Sequence, residues 1–142
     1  MRPALAQQLA IDKHRQALWG HSYGGLLVLH TLLTRPGAFS DYAAASPSLW
    51  WGNGVVLQEL AGLRQRLGEH RPRLLVMRGD AEPAQPRPGL PVDNIKATGQ
   101  LLDELRQLSA VQVGFKTFPG LNHGQMLEAS LRYTLEQFYS AP

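Results

Sequence analysis

Several absences narrow what this chain of 142 residues can be. It contains no cysteine, which excludes a disulfide framework, a thiolate zinc site and a cysteine nucleophile. Its longest apolar run, Leu26 to Leu33, is interrupted by a histidine and is far too short to span a bilayer. The net charge is only +3 and the basic residues are scattered, which argues against nucleic-acid binding. The composition, 44% hydrophobic, therefore indicates one modest globular domain over residues 1–142.

The order of apolar segments predicts an α/β fold. Strand-like runs alternate with helical spacing, which is typical of parallel strands with flanking helices. The predicted strands are Gln16 to Trp19, Tyr42 to Ala45, Arg73 to Arg78 and Val111 to Phe118. The predicted helices are Ala4 to Lys13, Tyr23 to Thr34, Val55 to Leu67, Val92 to Leu108 (with Ile95, Leu101, Leu102, Leu105 and Leu108 inward) and Gln125 to Tyr139. A proline-rich loop is predicted from Gly79 to Pro91.

A Gly-His-Ser-Tyr-Gly-Gly run, Gly20 to Gly25, lies between the first predicted strand and the helix that follows. This Gly-x-Ser-x-Gly pattern in a strand-to-helix context predicts a nucleophile elbow with Ser22 on a sharp turn. The backbone N–H of Tyr23 would then contribute to an oxyanion hole. The other half of such a hole normally comes from a loop after an earlier strand, for which the sequence offers no candidate.

A serine hydroxyl needs a neighbouring base, usually histidine, to become a nucleophile. His123 lies in a loop directly after the last predicted strand, where this fold places its catalytic histidine. His21 is within the elbow, but strand alternation predicts that it points away from Ser22. The orienting acid follows a late strand; Glu82 and Asp80 are both candidates there, and Asp93 is a third.

Two adjacent tryptophans follow the second predicted strand and should lie beside the nucleophile. Trp50 and Trp51 could stack an aromatic acyl group, or one of the rings could fill the core. Asn122, next to His123, is a further predicted substrate-binding residue.

Three segments together resemble the siderophore esterases of the esterase D-like branch of the α/β-hydrolase superfamily, especially those that act on enterobactin and salmochelin. They are Leu18–Leu26, Ala44–Trp50 and Phe118–Met126. The resemblance implies an α/β-hydrolase fold with Ser22 as nucleophile and His123 as base. It also implies hydrolysis of ester bonds between catecholate-serine units of a small-molecule siderophore, with no metal or organic cofactor, no nucleic acid and no membrane insertion.

The chain departs from this pattern in two respects. Periplasmic trilactone esterases are thought to use a serine-histidine dyad, whereas Gly79-Asp80-Ala81-Glu82 resembles the acid-bearing loop of broader esterase D relatives, which favours Glu82. The family's N-terminal strands are also missing, so we expect a C-terminal portion of the fold. An exposed half-sheet of this kind predicts self-association. Residues 1–10 lack a signal-peptide layout, although the resemblance favours the periplasm over the cytoplasm.

Two other functions are compatible with the sequence. A general carboxylesterase or thioesterase of the esterase D type would use the same machinery on another ester. A non-catalytic hydrolase fragment would bind a partner chain instead.

Overall fold

A computed structural model describes residues 16–51, 54–82 and 93–139. These residues form four strands with helices between them, which confirms the predicted alternation, although there are five helices where four were predicted. In chain order they are β1 (Ala17–His21), α1 (Tyr23–Thr34), β2 (Asp41–Ala45), α2 (Val55–Gln58), α3 (Leu63–Leu67), β3 (Arg73–Gly79), α4 (Asn94–Arg106), β4 (Gln112–Phe118) and α5 (Met126–Tyr139). The predicted helix Ala4 to Lys13 and the proline-rich loop from Pro83 to Pro91 lie outside the described residues.

The strands form one parallel sheet in the order β1-β2-β3-β4. Because the strands are parallel, all four carboxyl ends meet at one edge, where ligands bind in open α/β sheets. The order also places the turn after β2 between the turn after β1 and the turn after β3. The turns after neighbouring strands therefore lie side by side at this edge, where the candidate site is found.

Helices cover both faces of the described sheet, and more of them lie on one face than on the other. Helices α1 to α4 and the strand residues that face them, such as Tyr42 and Val76, share the larger apolar core. Among the described residues, helix α5 covers the opposite face, where Met126 and Phe138 share a smaller apolar cluster with Ala43, Leu75 and Met77. All five β2 residues are buried, as expected of a central strand in a parallel sheet covered by helices.

The prediction of one continuous helix from Val55 to Leu67 is wrong. The structure has two short helices, α2 and α3, separated by turn residues 59–62. In this turn the N–H groups of Glu59, Leu60 and Ala61 bond three residues back instead of four, and Gly62 adopts a left-handed conformation with a φ of +79°. The apolar spacing persists across this break because Val56, Leu63 and Leu67 are still buried.

One predicted core residue is also misplaced. The helical spacing predicts that Ile95 faces inward, but its side chain is 51% exposed on the first turn of α4. Leu101, Leu102 and Leu105 are buried as predicted, and Leu108 packs against the core beyond the end of the helix. Within the described residues, no helix has both the length and the apolar character needed to cross a membrane.

Candidate active site

Ser22 lies on a strained turn between β1 and α1. Its φ of 63° and ψ of −117° are unusual for a residue with a side chain. The turn needs glycine at Gly20, because a Cβ atom there would lie 2.3 Å from the carbonyl oxygen of Gly24. The local geometry is that of a nucleophile elbow.

His123 and Glu82 complete a line of hydrogen bonds with this serine. The Oγ atom of Ser22 is 2.9 Å from Nε2 of His123, and Nδ1 of His123 is 2.6 Å from Oε1 of Glu82. Because a carboxylate only accepts, Nδ1 donates to Glu82, and Nε2 then accepts the Ser22 hydroxyl proton. This is the arrangement in which an imidazole can remove a serine proton.

Glu82 is held by donors on both of its oxygens. Its Oε2 atom accepts hydrogen bonds from the Ser46 hydroxyl and the Gly79 backbone N–H, each at 2.7 Å. The carboxylate is only 8% exposed, whereas the His123 ring is 46% exposed. Glu82 is therefore fixed inside the protein, whereas nearly half of the His123 ring is open to solvent.

The two alternative acids have other partners. Asp80 accepts a 2.6 Å hydrogen bond from the backbone N–H of Gly120, which ties the β3–α4 loop to the loop that carries His123. Asp93 is the N-cap of α4, where its carboxylate accepts from Ile95 N–H and Lys96 N–H. Neither contributes a contact to the imidazole.

The loop carrying His123 is shaped by Asn122. The Asn122 side-chain oxygen accepts from the Gln125 N–H, and the Gln125 side-chain oxygen accepts from the Asn122 N–H, each at 2.9 Å. This reciprocal pair caps the start of α5 in the manner of a capping box. The structure thus gives Asn122 a role in shaping the loop, and its predicted contact with substrate stays a prediction.

His21, the last residue of β1, lies beside His123. Its Nε2 atom donates a 2.7 Å hydrogen bond to the His123 carbonyl, and the two rings are 4.8 Å apart. Burial lowers the pKa of His21 and outweighs the opposing effect of its hydrogen bond to the His123 carbonyl; the nearby His123 ring lowers it further. The predicted orientation of the His21 side chain, away from Ser22, stays a prediction.

The tryptophans differ in their surroundings. The half-buried Trp50 ring makes an edge contact with Tyr23, with ring centroids 5.9 Å apart. Its backbone N–H donates to the Asn94 side chain. Trp51 is 51% exposed and lines a mainly apolar groove of about 510 Å³. The other lining residues of this groove are Tyr23, Leu26, Leu27, His30, Val55, Val56 and Glu59.

Tyr23 is the first residue of α1, so its backbone N–H lies outside the helix's own hydrogen-bond pattern. It is adjacent to Ser22, at the positive end of the helix dipole. The geometry leaves this amide available to an anionic oxygen, as the elbow motif predicts.

Sequence comparison connects these features to known proteins. A family model described as a putative esterase matches residues 1–107. The apo-salmochelin esterase of Escherichia coli is 36% identical over 135 residues, which cover 94% of this chain and 41% of that protein. The siderophore triacetylfusarinine C esterase of Aspergillus fumigatus is 41% identical over 91 residues, which cover 61% of this chain and 31% of that protein. The chain thus spans less than half the length of these two relatives.

The fold is also found in solved structures. The siderophore hydrolase EstB of Aspergillus nidulans superposes with a TM-score of 0.79 at 30% identity. The superposition covers 99% of this chain and 56% of EstB. The sheet, its flanking helices and the elbow are thus those of an α/β-hydrolase fold, as predicted.

Proposed function

The chain belongs to the putative esterase family, and we propose from that premise that it hydrolyses carboxylic esters of siderophores through an acyl-enzyme on Ser22. The observation that carries the proposal is the continuous line from Ser22 through His123 to Glu82, with contacts of 2.9 and 2.6 Å. A serine, a neutral imidazole and a buried carboxylate in this order form the apparatus of acyl transfer.

The reaction follows from the direction of these hydrogen bonds. As the Ser22 Oγ atom attacks the ester carbonyl, its proton passes to Nε2 of His123, and Glu82 stabilises the resulting imidazolium. The backbone N–H of Tyr23 donates to the carbonyl oxygen as it becomes an oxyanion. The tetrahedral intermediate collapses, the C–O bond breaks, and His123 returns the proton to the leaving alcohol. Water, deprotonated by His123, then attacks the acyl-enzyme. The acid is released as His123 returns this proton to the departing Ser22 oxygen.

The proposed substrate is a catecholate siderophore of the trilactone type. The relatives are named for siderophore esters, which supports this class. The groove beside the elbow supports it as well, since Tyr23 and Trp51 offer aromatic surface for an aromatic acyl group. None of the steps in this mechanism requires a metal or organic cofactor.

Product analysis tests this proposal directly. The chain is incubated with enterobactin and, separately, with p-nitrophenyl butyrate, and the linear hydrolysis products are identified by mass spectrometry. We expect cleavage of the trilactone at a higher kcat/KM than the simple ester, and loss of both activities in Ser22→Ala. Cleavage of the simple ester alone would identify a general carboxylesterase, and cleavage of neither would contradict the proposed activity.

We also propose that the chain self-associates through its exposed half-sheet, at the open edge of β1 and the outward surface of α5. In the described sheet β1 has a neighbour on one side only. On α5, Leu127, Leu131, Leu135 and Tyr139 recur every four residues and are 39 to 51% exposed, which makes an apolar stripe. Light scattering after gel filtration should give a mass above 15.7 kDa for the chain. Leu131→Glu should lower that mass, and Gln100→Glu, the same change in charge on α4, should not.

A further inference from the structure

The segment Ser46-Pro47-Ser48 follows β2 and lies between the two turns that carry Ser22 and Glu82. The sheet order requires this position, because β2 is paired with β1 on one side and β3 on the other. Both serines are polar yet almost fully buried, at 4% and 2% exposure. Buried hydroxyls need partners, and the partners of these two are members of the proposed catalytic triad.

Ser48 contacts the proposed nucleophile. Its Oγ atom lies 3.3 Å from Oγ of Ser22, and its backbone N–H donates to the Ser22 carbonyl at 3.2 Å. When the Ser22 hydroxyl donates to Nε2 of His123, as proton transfer requires, its oxygen accepts from the Ser48 hydroxyl. A donor at this position holds the Ser22 oxygen toward His123. It also stabilises the negative charge that develops on that oxygen as its proton leaves.

Ser46 contacts the acid at the opposite end of the triad. Its hydroxyl donates to Oε2 of Glu82 at 2.7 Å, which leaves Oε1 to accept from His123. Ser46 has a φ of 45°, a left-handed conformation that is rare for serine, and its N–H donates to the Met77 carbonyl. The structure maintains this unfavourable backbone conformation at the point where the hydroxyl reaches Glu82.

We propose that the Ser46-Pro47-Ser48 segment is a second functional element of the site: Ser48 is a catalytic residue that donates to the reacting oxygen, and Ser46 is a positioning residue that fixes Glu82. This inference rests on the proposed function. It adds two residues that the Gly-x-Ser-x-Gly motif and the His123 loop do not contain.

Two readouts in the full chain separate the two roles. The first is the rate at which a fluorophosphonate labels Ser22. The second is the low-field proton NMR resonance of His123 Nδ1–H, which reports the hydrogen bond to Glu82 without any turnover. Ser130→Ala is the matched control, because Ser130 is fully buried and hydrogen-bonded to Trp19 and Leu127, away from the triad.

We expect Ser48→Ala to slow labelling about 10-fold or more, since a hydrogen bond to a developing charge is lost, and to leave the resonance in place. We expect Ser46→Ala to slow labelling by a similar factor and also to broaden or shift the resonance. Ser130→Ala should leave both readouts within about twofold of the wild type, as a change outside the network does.

Labelling of both variants at the wild-type rate, with an unchanged resonance, would overturn the inference and leave the proposed function intact. An unlabelled wild-type chain would instead overturn the proposed function and, with it, the role of Ser48. In that case an unchanged resonance in Ser46→Ala would overturn the role of Ser46, and an altered one would support it.

Discussion

The Nδ1 atom of His123 lies 2.6 Å from Oε1 of Glu82, although the two residues belong to different loops 41 positions apart. These loops follow neighbouring strands, β3 and β4, whose carboxyl ends lie side by side. The contact joins a buried carboxylate to a ring that is nearly half exposed. This combination orients the imidazole and leaves its other nitrogen 2.9 Å from the Ser22 hydroxyl oxygen.

Exchanging the two candidate acids for their amides tests which of them orients His123. Glu82→Gln should lower kcat for ester hydrolysis by about 100- to 10 000-fold, because an amide cannot stabilise the imidazolium that forms during proton transfer. Asp80→Asn removes the charge from a carboxylate that contacts only the Gly120 N–H among the described contacts, and should change kcat by less than about 10-fold. Steady-state kinetics on one ester substrate measure both. Equal losses in the two variants would contradict the assignment of Glu82.

The close approach of the His123 loop to β3 depends on Gly79. A Cβ atom at this position would lie 2.2 Å from the Leu121 carbonyl oxygen, a backbone atom that can move only with its loop. Gly79→Ala should therefore displace the loop, reduce hydrolysis and lower the free energy of unfolding by about 1–3 kcal/mol.

Gly99→Ala is the control for this change. Gly99 lies inside α4, and a Cβ atom added there would meet no other atom within 4 Å, so alanine should stabilise the chain by about 0.5–1 kcal/mol. Urea denaturation and activity are measured on both variants. A Gly79→Ala chain as active as Gly99→Ala would show that the close approach is unimportant.

His21 makes stability depend on pH in a defined direction. Burial lowers its pKa below the usual 6.5, so between these two values the unfolded chain binds more protons at this site than the folded chain does. The contribution of His21 therefore reduces stability as the pH falls through about 6.5, until the lower pKa of the folded state is passed. Urea midpoints at pH 7.5 and 5.5 measure the effect. His21→Gln, which retains a donor for the His123 carbonyl, should show a smaller difference between the two midpoints, and an unchanged difference would assign the effect to other groups.

The exposed ring of Trp51 should affect substrate binding more than chemistry. Trp51→Ala removes an aromatic wall of the groove beside Tyr23, so KM for an aromatic acyl ester should rise about fivefold or more with little change in kcat. Phe115→Ala removes another exposed aromatic ring, on β4 and outside the lining of this groove, and is the control. A loss in kcat with unchanged KM would place Trp51 in the chemical step instead.

Much of the site could be predicted from the sequence because its parts follow strands. The elbow motif locates Ser22, and the loop after the last strand locates His123. The sequence left three carboxylates open, and only the fold distinguishes them: Asp80 and Asp93 satisfy backbone amides, whereas Glu82 reaches the imidazole.

The errors in prediction have local physical causes. Apolar spacing is continuous across Gly62, so periodicity alone could not reveal that a left-handed residue divides the helix there. Ser46 and Ser48 were missed as polar members of the site because a Ser-Pro-Ser segment has no helical or strand pattern, and its contacts are long-range.

The measurement that tests the central claim most directly is fluorophosphonate labelling of the chain, with the adduct located by mass spectrometry. We predict a stoichiometric adduct on Ser22 that is lost in His123→Ala, because the hydroxyl needs the imidazole 2.9 Å away to become a nucleophile. The folded state of His123→Ala is checked by its unfolding transition. Absence of an adduct in the folded wild-type chain, or an adduct that persists in His123→Ala, would contradict the account.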